Sequence, residues 1–455
     1  MPSSLVRTHR VTTQGGLNEG AGFDFFQRLH LILCDRRNPR CAIYPSHHSA
    51  YDSPYEMETE RCINRKMQAD NIMEHFNLIV VGLGAMGAAT LYQAAKQGAQ
   101  VLGIDRFQPP HTQGSTHGET RMTRLAVGEG PQYVPLVKRS HEIWQALTEE
   151  TGQPLLYLCG LYTTAPKGTG GAGHYGDFVD RVAEIAEAQN LPYERLTAAE
   201  VRQRHPAYNV PDSNDAILDP NGGVIDCEAA VQVQLQLAQQ LGAKALFNTM
   251  VVDVVPESSG VQVKTAETTF TADQVVVAAG GWVRSFLPNR LHSHFCVTRQ
   301  VIYWMEVDDP APFAPEHFPA MIWPGLTDDE YLGVFPMLPN RTPGLKVQTE
   351  KRNLDSNPDT VDREVSEAEL NEFVDVAMRD KVKGVKQKCL SAKVCLYTET
   401  PDHHFVVDHH PDSDRIIVVS PCSGHGFKHS AALGEGVAQW ALNGQSQIDL
   451  SAFSW

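Results

Sequence analysis

The sequence predicts an α/β fold in which a Rossmann-like dinucleotide-binding domain is interleaved with an antiparallel β-sheet substrate domain. Three observations carry that expectation. A run of β-formers leads into the turn Gly82-Leu83-Gly84-Ala85-Met86-Gly87. An acid, Asp105, closes the next apolar run. A second buried strand, Gln274 to Trp282, containing the pair Gly280-Gly281, comes only after a long stretch of other elements.

Taken in order, Phe76 to Val81 is apolar enough for a parallel strand covered on both faces. Ala88 to Gln97 reads as a helix, with Gly98 where a left-handed C-cap belongs, and Gln100 to Asp105 is the second strand. In such a β-α-β unit Gly82 permits the tight turn, Gly84 lets backbone approach a pyrophosphate, and Gly87 lets helix and strand close up. The phosphates sit over free N–H groups at the positive end of the helix dipole. Asp105 stands 18 residues past Gly87, close to the roughly 20 expected of the carboxylate that takes a ribose hydroxyl pair. A bare GxGxxG is weak; strand, helix and acid in register make it specific.

Pro109 to Ser115 is a loop by its turn residues, and Pro166 to Gly176 a glycine-rich surface loop. Tyr133 to Glu150, Asp177 to Ala188 and Ala229 to Leu241 have helical periodicity, and Thr197-Ala198-Ala199-Glu200 reads as a capping box. Phe247 to Val255, Val261 to Thr265 and Thr268 to Ala272 look like strand and hairpin. Phe295 to Val347 is strand-like and turn-rich, Ser366 to Met378 helical, Arg415 to Ser420 a short buried strand, and Lys428 to Leu442 a final helix. The expected division gives 76–163, 226–294 and 390–455 to the dinucleotide domain and 164–225 with 295–389 to the second. Residues 1–75 lack any sustained period and read as a disordered extension, with Met73 as an alternative start just ahead of the fold.

A chain of 455 residues has room for two joined domains. A net charge of −16 argues against nucleic acid as a partner. No apolar stretch reaches the roughly 18 residues of a membrane span, no secretory signal is legible, and the C-terminus carries no peroxisomal tripeptide. The nine cysteines are scattered without CxxC pairs, which disfavours a metal site or a disulfide framework and suits a reducing cytoplasm.

A Rossmann unit serves NAD or FAD. FAD is favoured because the unit opens the folded part, a second glycine-terminated strand follows, and Ser423-Gly424-His425-Gly426-Phe427-Lys428 introduces a last helix start where N–H groups can meet negative charge. The motifs then come in a telling order. After Gly82–Gly87 and Asp105 stand Pro109-Pro110-His111-Thr112, His117-Gly118-Glu119-Thr120-Arg121 with Arg124, and Gly128-Glu129-Gly130. Later come Ala392-Lys393-Val394-Cys395-Leu396-Tyr397-Thr398, Asp402-His403-His404-Phe405 and Ser423 to Lys428. In these motifs the chain resembles the monomeric sarcosine oxidase family, including its N-methyl-L-tryptophan oxidase and pipecolate oxidase relatives. The resemblance runs from about Phe76 to Phe453 and covers none of the first 75 residues.

The resemblance implies a monomeric flavoprotein that oxidises the C–N bond of a secondary amino acid to an imine, with dioxygen reduced to hydrogen peroxide. It implies FAD held covalently through a thioether at Cys395, which calls for an electropositive site around the thiol; Lys393 is near in sequence. Arg124 and Lys428 match the pair that holds the substrate carboxylate, a charge too costly to bury unpaired. Arg121 matches the arginine against the flavin ring, and Lys346 the lysine that promotes reaction with oxygen, where a cation stabilises developing negative charge. His117 and Thr120 fit as flavin-side contacts; Met86, Arg106, Gly424, Gly426 and Phe427 complete the cofactor set. Two departures stand out. Glu350 occupies the place of a pocket histidine, where it would repel a carboxylate and welcome a cation. Around Tyr331-Leu332-Gly333-Val334-Phe335 one extra residue leaves it open whether Tyr331 points inward. An FAD dehydrogenase with another acceptor and a non-catalytic dinucleotide binder remain the alternative readings.

Overall fold

A computed structural model describes residues 73–167, 177–327, 330–350 and 355–455. The expected N-terminal extension, up to residue 72, and residues 168–176 of the glycine-rich loop lie outside the described residues.

The strand His75–Val81 lies between Val101–Ile104 and Thr269–Val277, all parallel, and Lys244–Leu246 and Ser413–Ser420 extend the parallel set on either side. A hairpin, Val251–Glu257 with Gly260–Thr265, adds antiparallel strands to the N-terminal half of Thr269–Val277. One strand thus serves two roles that its sequence suggested were separate. Instead of a hairpin strand to Ala272 and a new strand to Trp282, it runs unbroken to Val277; Gly280, at φ +52°, then turns the chain into a short 3-10 helix, Gly280–Phe286. Residues 75–81 are buried from Leu78 onward because helices cover one face and the hairpin side the other.

The first helix is Ala85–Lys96, three residues earlier than its periodicity indicated, because the second half of the glycine turn is itself its first helical turn. Gly98 has φ +81°, as the C-cap expectation required. The helix crosses Ser430–Asn443 very closely: a Cβ on Gly434 would lie 2.3 Å from the Ala89 Cβ and 2.6 Å from its carbonyl carbon. Alanine and glycine on the facing sides let the two backbones meet, bringing the C-terminal helix against the dinucleotide turn. The Thr197–Glu200 capping box forms in full, and Asp226 caps Cys227–Gln240 by accepting from the Ala229 N–H.

The second large sheet has the order Val385–Glu399, Cys296–Val307, Leu345–Thr349, Glu330–Val334, Ala320–Thr327, Leu161–Pro166, Asn214–Asp219, Glu194–Thr197. Its pairings are antiparallel apart from that between Ala320–Thr327 and Leu161–Pro166. Val385–Glu399 stays paired with Cys296–Val307 as far as Glu399, so the strand bearing Cys395 belongs to this sheet. A small third sheet joins Thr120–Thr123 to Gly223–Asp226 and Leu156–Tyr157. No described helix is long and apolar enough to cross a membrane.

Candidate active site

One long cavity joins the dinucleotide turn to the second sheet. Its lining includes Gly82 to Met86, Asp105, Arg106 and Trp282 around the turn, and Arg124, Glu129, Tyr331, Gln348, Glu350, Tyr397 and the loop Ser423 to Lys428. At the turn, Gly82 has φ +89°, and a Cβ on Gly87 would lie 1.7 Å from the Gly82 carbonyl oxygen. Only glycine allows the chain to double back that tightly. The helix that follows has neither a side-chain cap nor an acid in its first turn, so nothing on its own side chains competes with an anion there. Asp105 accepts from the Leu83 and Phe107 N–H groups, each at 2.7 Å. A carboxylate has about four lone-pair sites, so two remain toward the cavity. The Arg106 guanidinium pairs with Asp359 and lies against Phe107 and Trp282.

At the far end the charges are buried. Arg124 pairs with Glu129, and both are nearly inaccessible. Arg124 and Lys428 hold the Glu129 carboxyl well below its usual range against the opposing effect of burial. Lys428 donates to the His425 carbonyl at 2.6 Å; burial and Arg124 push its ammonium well below the ordinary lysine range. His425 is likewise driven toward its neutral form by burial. Gln348 donates to the hydroxyls of Tyr331 and Tyr397 at 3.2 and 3.3 Å. Tyr331 therefore does point inward. The hairpin carries a register irregularity beside it, between Pro324 and Thr327.

Lys346, Cys395, His117 and Thr120 are absent from the cavity's lining and lie buried behind it. Lys346 donates to the Thr120 carbonyl and hydroxyl, with its Nζ 4.0 Å from the centre of the Phe335 ring. Burial, with Arg121 adding repulsion, lowers its pKa to about 7. Arg121 lines the cavity, anchored to the carbonyls of Thr120 and Ser115 at 2.8 and 2.6 Å. Cys395 packs with Ile302, Trp304 and Tyr397. Burial raises its thiol, and the cations that oppose this are Arg121 and Lys346. Lys393, nearer in sequence, lies over the Trp304 ring at 5.3 Å. His117 has a pKa lowered to about 3 by burial and the neighbouring Arg121, and neither ring nitrogen has a partner among the described residues. Gly424, Gly426, Phe427 and Met86 line the cavity.

The sequence reading passed over several participants. Glu129 was visible between two glycines but received no role. Gln348 sits between Lys346 and Glu350 on one face of a strand, so polar residues at every second position of an otherwise apolar run were its signal. Glu228, which accepts from the Gly118 and Glu119 N–H groups, had none. The arrangement suits a flavin dinucleotide: a helix start without a side-chain cap from its own N-cap residue, an acid with two of its about four lone-pair sites taken by backbone N–H groups, and buried polar atoms without a hydrogen-bond partner among the described residues at His117, Arg124 Nε, Glu129 Oε2 and Ser420 Oγ.

Residues 77–440 match the family of FAD dependent oxidoreductases. The chain is 36% identical over 388 residues to monomeric sarcosine oxidase of Bacillus sp. strain B-0618, spanning 84% of this chain and 95% of that enzyme. It is 35% identical to N-methyl-L-tryptophan oxidase of Yersinia pestis strain Pestoides F, over 83% of this chain and 98% of the relative. Among solved structures, the fold is similar to NikD, an amino acid oxidase of nikkomycin biosynthesis, with a TM-score of 0.72 at 23% identity over 84% of this chain and 97% of NikD. L-proline dehydrogenase from P. horikoshii gives 0.69 at 20% identity over 84% and 97%. The chain belongs to the FAD-dependent oxidoreductase family, as a relative of monomeric sarcosine oxidase and N-methyl-L-tryptophan oxidase.

Proposed function

We propose that this protein is an FAD-dependent oxidase of N-methyl or other secondary amino acids, with dioxygen as acceptor and hydrogen peroxide as product. The observation that carries the reading is the buried pair Arg124 and Lys428, which lines the same cavity as the dinucleotide turn. Bound FAD supplies the acceptor for two electrons and their passage to oxygen. The protein's own residues do the rest. Arg124 and Lys428 receive the substrate carboxylate, whose burial without cations would cost several kcal/mol. Tyr331, Gln348, Phe335 and Tyr397 wall the cavity and exclude water from the amine. The C–H electrons leave as a hydride equivalent, the nitrogen lone pair becomes the imine π bond, and water hydrolyses the imine. Arg121 lies toward the flavin, and Lys346 provides positive charge beneath the wall where oxygen is reduced. Cys395, with Arg121 and Lys346 opposing the rise of its pKa, is the proposed thioether link to the cofactor. The enzyme is read as a cytoplasmic monomer.

The test is peroxide production by the purified yellow protein over a panel of secondary amino acids, alongside anaerobic bleaching of the flavin. Bleaching without peroxide in air would point to a dehydrogenase instead. No bleaching by any secondary amino acid would remove the reading.

A further inference from the structure

We propose that Glu119 is a positioning residue for Lys346, tying the loop that receives the lysine ammonium to the backbone around it; the inference rests on the oxidase reading above and deepens it. Every polar group of residue 119 is engaged. Its N–H donates to the Glu228 carboxylate and its carbonyl accepts from the Cys227 N–H, which docks its backbone on the start of helix Cys227–Gln240. Its carboxylate crosses to the second sheet. Oε2 accepts from the Trp304 indole N–H at 3.0 Å, and Oε1 from the Thr342 N–H and hydroxyl at 2.9 and 2.6 Å. Trp304 is the ladder partner of Lys346, and Thr342 stands just ahead of the lysine strand.

The next residue, Thr120, holds the lysine head: its carbonyl and hydroxyl both accept from Lys346 Nζ, the hydroxyl at 3.1 Å. Residues 119 and 120 thereby fix the lysine at its head and through the backbone on either side. Glu119 has φ +70°, a region that costs any residue except glycine. Strain of this kind persists where surrounding contacts over-determine it, and it clusters at functional sites. The other ionisable groups that act on the Lys346 ammonium are Arg121, Cys227, Glu228 and Cys395. His117, on the same loop, is kept neutral by burial, and Lys393 lies over the Trp304 ring. With burial and Arg121 both opposing its charge, the ammonium depends on acceptors held in place.

The experiment reduces the holoenzyme anaerobically with dithionite, mixes it with dioxygen and follows flavin reoxidation across neutral pH in wild type, Glu119→Gln and Glu119→Gly. Glutamine cannot keep the clamp, because both carboxylate oxygens face N–H donors and its amide NH2 would meet one of them. Glycine deletes the carboxylate yet takes φ +70° without strain, so the loop can persist. Both variants should reoxidise about tenfold or more slowly at neutral pH. The pH at which the rate falls should also move down, since an ammonium without ordered acceptors loses its proton earlier. Anaerobic bleaching by a secondary amino acid should slow by less. Thr342→Val, which deletes one hydroxyl donor, should move the pH midpoint the same way by a smaller amount, and no shift there overturns the proposal whether or not the Glu119 variants fold. So does reoxidation within a few-fold of wild type in the Glu119 variants, or an equal slowing of bleaching. A reduced wild-type enzyme that does not react with dioxygen fails the oxidase reading itself; a fast wild type with unaltered variants fails this proposal alone.

Discussion

Replacing Lys346 by Met tests the buried cation in two independent ways. Lys346 is 3% exposed, and its ammonium rests on Thr120 and the Phe335 ring with a pKa lowered to about 7. Against an unfolded lysine near 10.4, this lowering corresponds to about 5 kcal/mol. Below pH 7 both folded and unfolded chains carry the proton, and the folded state bears the full cost of burying it. Between about pH 7 and 10.4 the unfolded chain binds a proton that the folded one does not, so wild-type stability rises with pH across this window. Lys346→Met removes the titration. The Thr120 carbonyl loses one donor but keeps Arg121 Nη1 at 2.8 Å. In urea unfolding at pH 6, 8 and 9.5 the variant should be the more stable protein at pH 6, with the advantage shrinking as pH rises. Mixing the anaerobically reduced enzyme with oxygen supplies the second readout: the wild-type rate should fall as pH climbs through 7, while Lys346→Met reoxidises about a hundredfold or more slowly, the scale of losing one preorganised charge-stabilising group. A stability difference that does not vary with pH, or a variant reoxidising within a few-fold of wild type, would refute the reasoning.

Other substitutions probe the remaining claims. Lys428→Ala should raise KM for an amino-acid substrate by about 30-fold or more, as expected when one partner of a buried charge pair is removed at roughly 2–5 kcal/mol; steady-state kinetics with an unchanged KM would place the carboxylate elsewhere. Cys395→Ala should release the yellow colour to the supernatant on acid precipitation. If colour stays with the pellet, the candidate becomes Cys422, which lines the cavity, rather than Cys389, whose thiol donates to the Ser391 carbonyl and packs with the Tyr303 and Phe373 cluster away from it. Gly434→Val should cost about 1–3 kcal/mol by overpacking against Ala89, read as a lower urea midpoint; an unaltered midpoint would mean that the two helices separate freely.

Much of the dinucleotide end was legible because its signals are local. Three glycines, an Ala-rich helix and Asp105 lie within a short stretch, and backbone sterics force glycine where φ is positive or a Cβ has no room. The capping box at Thr197 and the Gly98 C-cap were readable for the same reason. The short strands Thr120–Thr123 and Leu156–Tyr157 were not, since two to four residues carry no measurable period.

The far end depended on long-range packing. The family resemblance set out Arg121, Arg124, Lys346, Cys395 and Lys428 as a group, but not which cations face the thiol: Arg121 and Lys346 do, and the sequence neighbour Lys393 lies on an indole instead. Nor could it say that Glu129 pairs with Arg124, or that Tyr331 points into the cavity. Local chemistry determined where a dinucleotide would lie. The charge balance around the substrate was decided only when sheet pairing brought residues from Arg124 to Lys428 into one buried volume, where low dielectric makes each neighbour count.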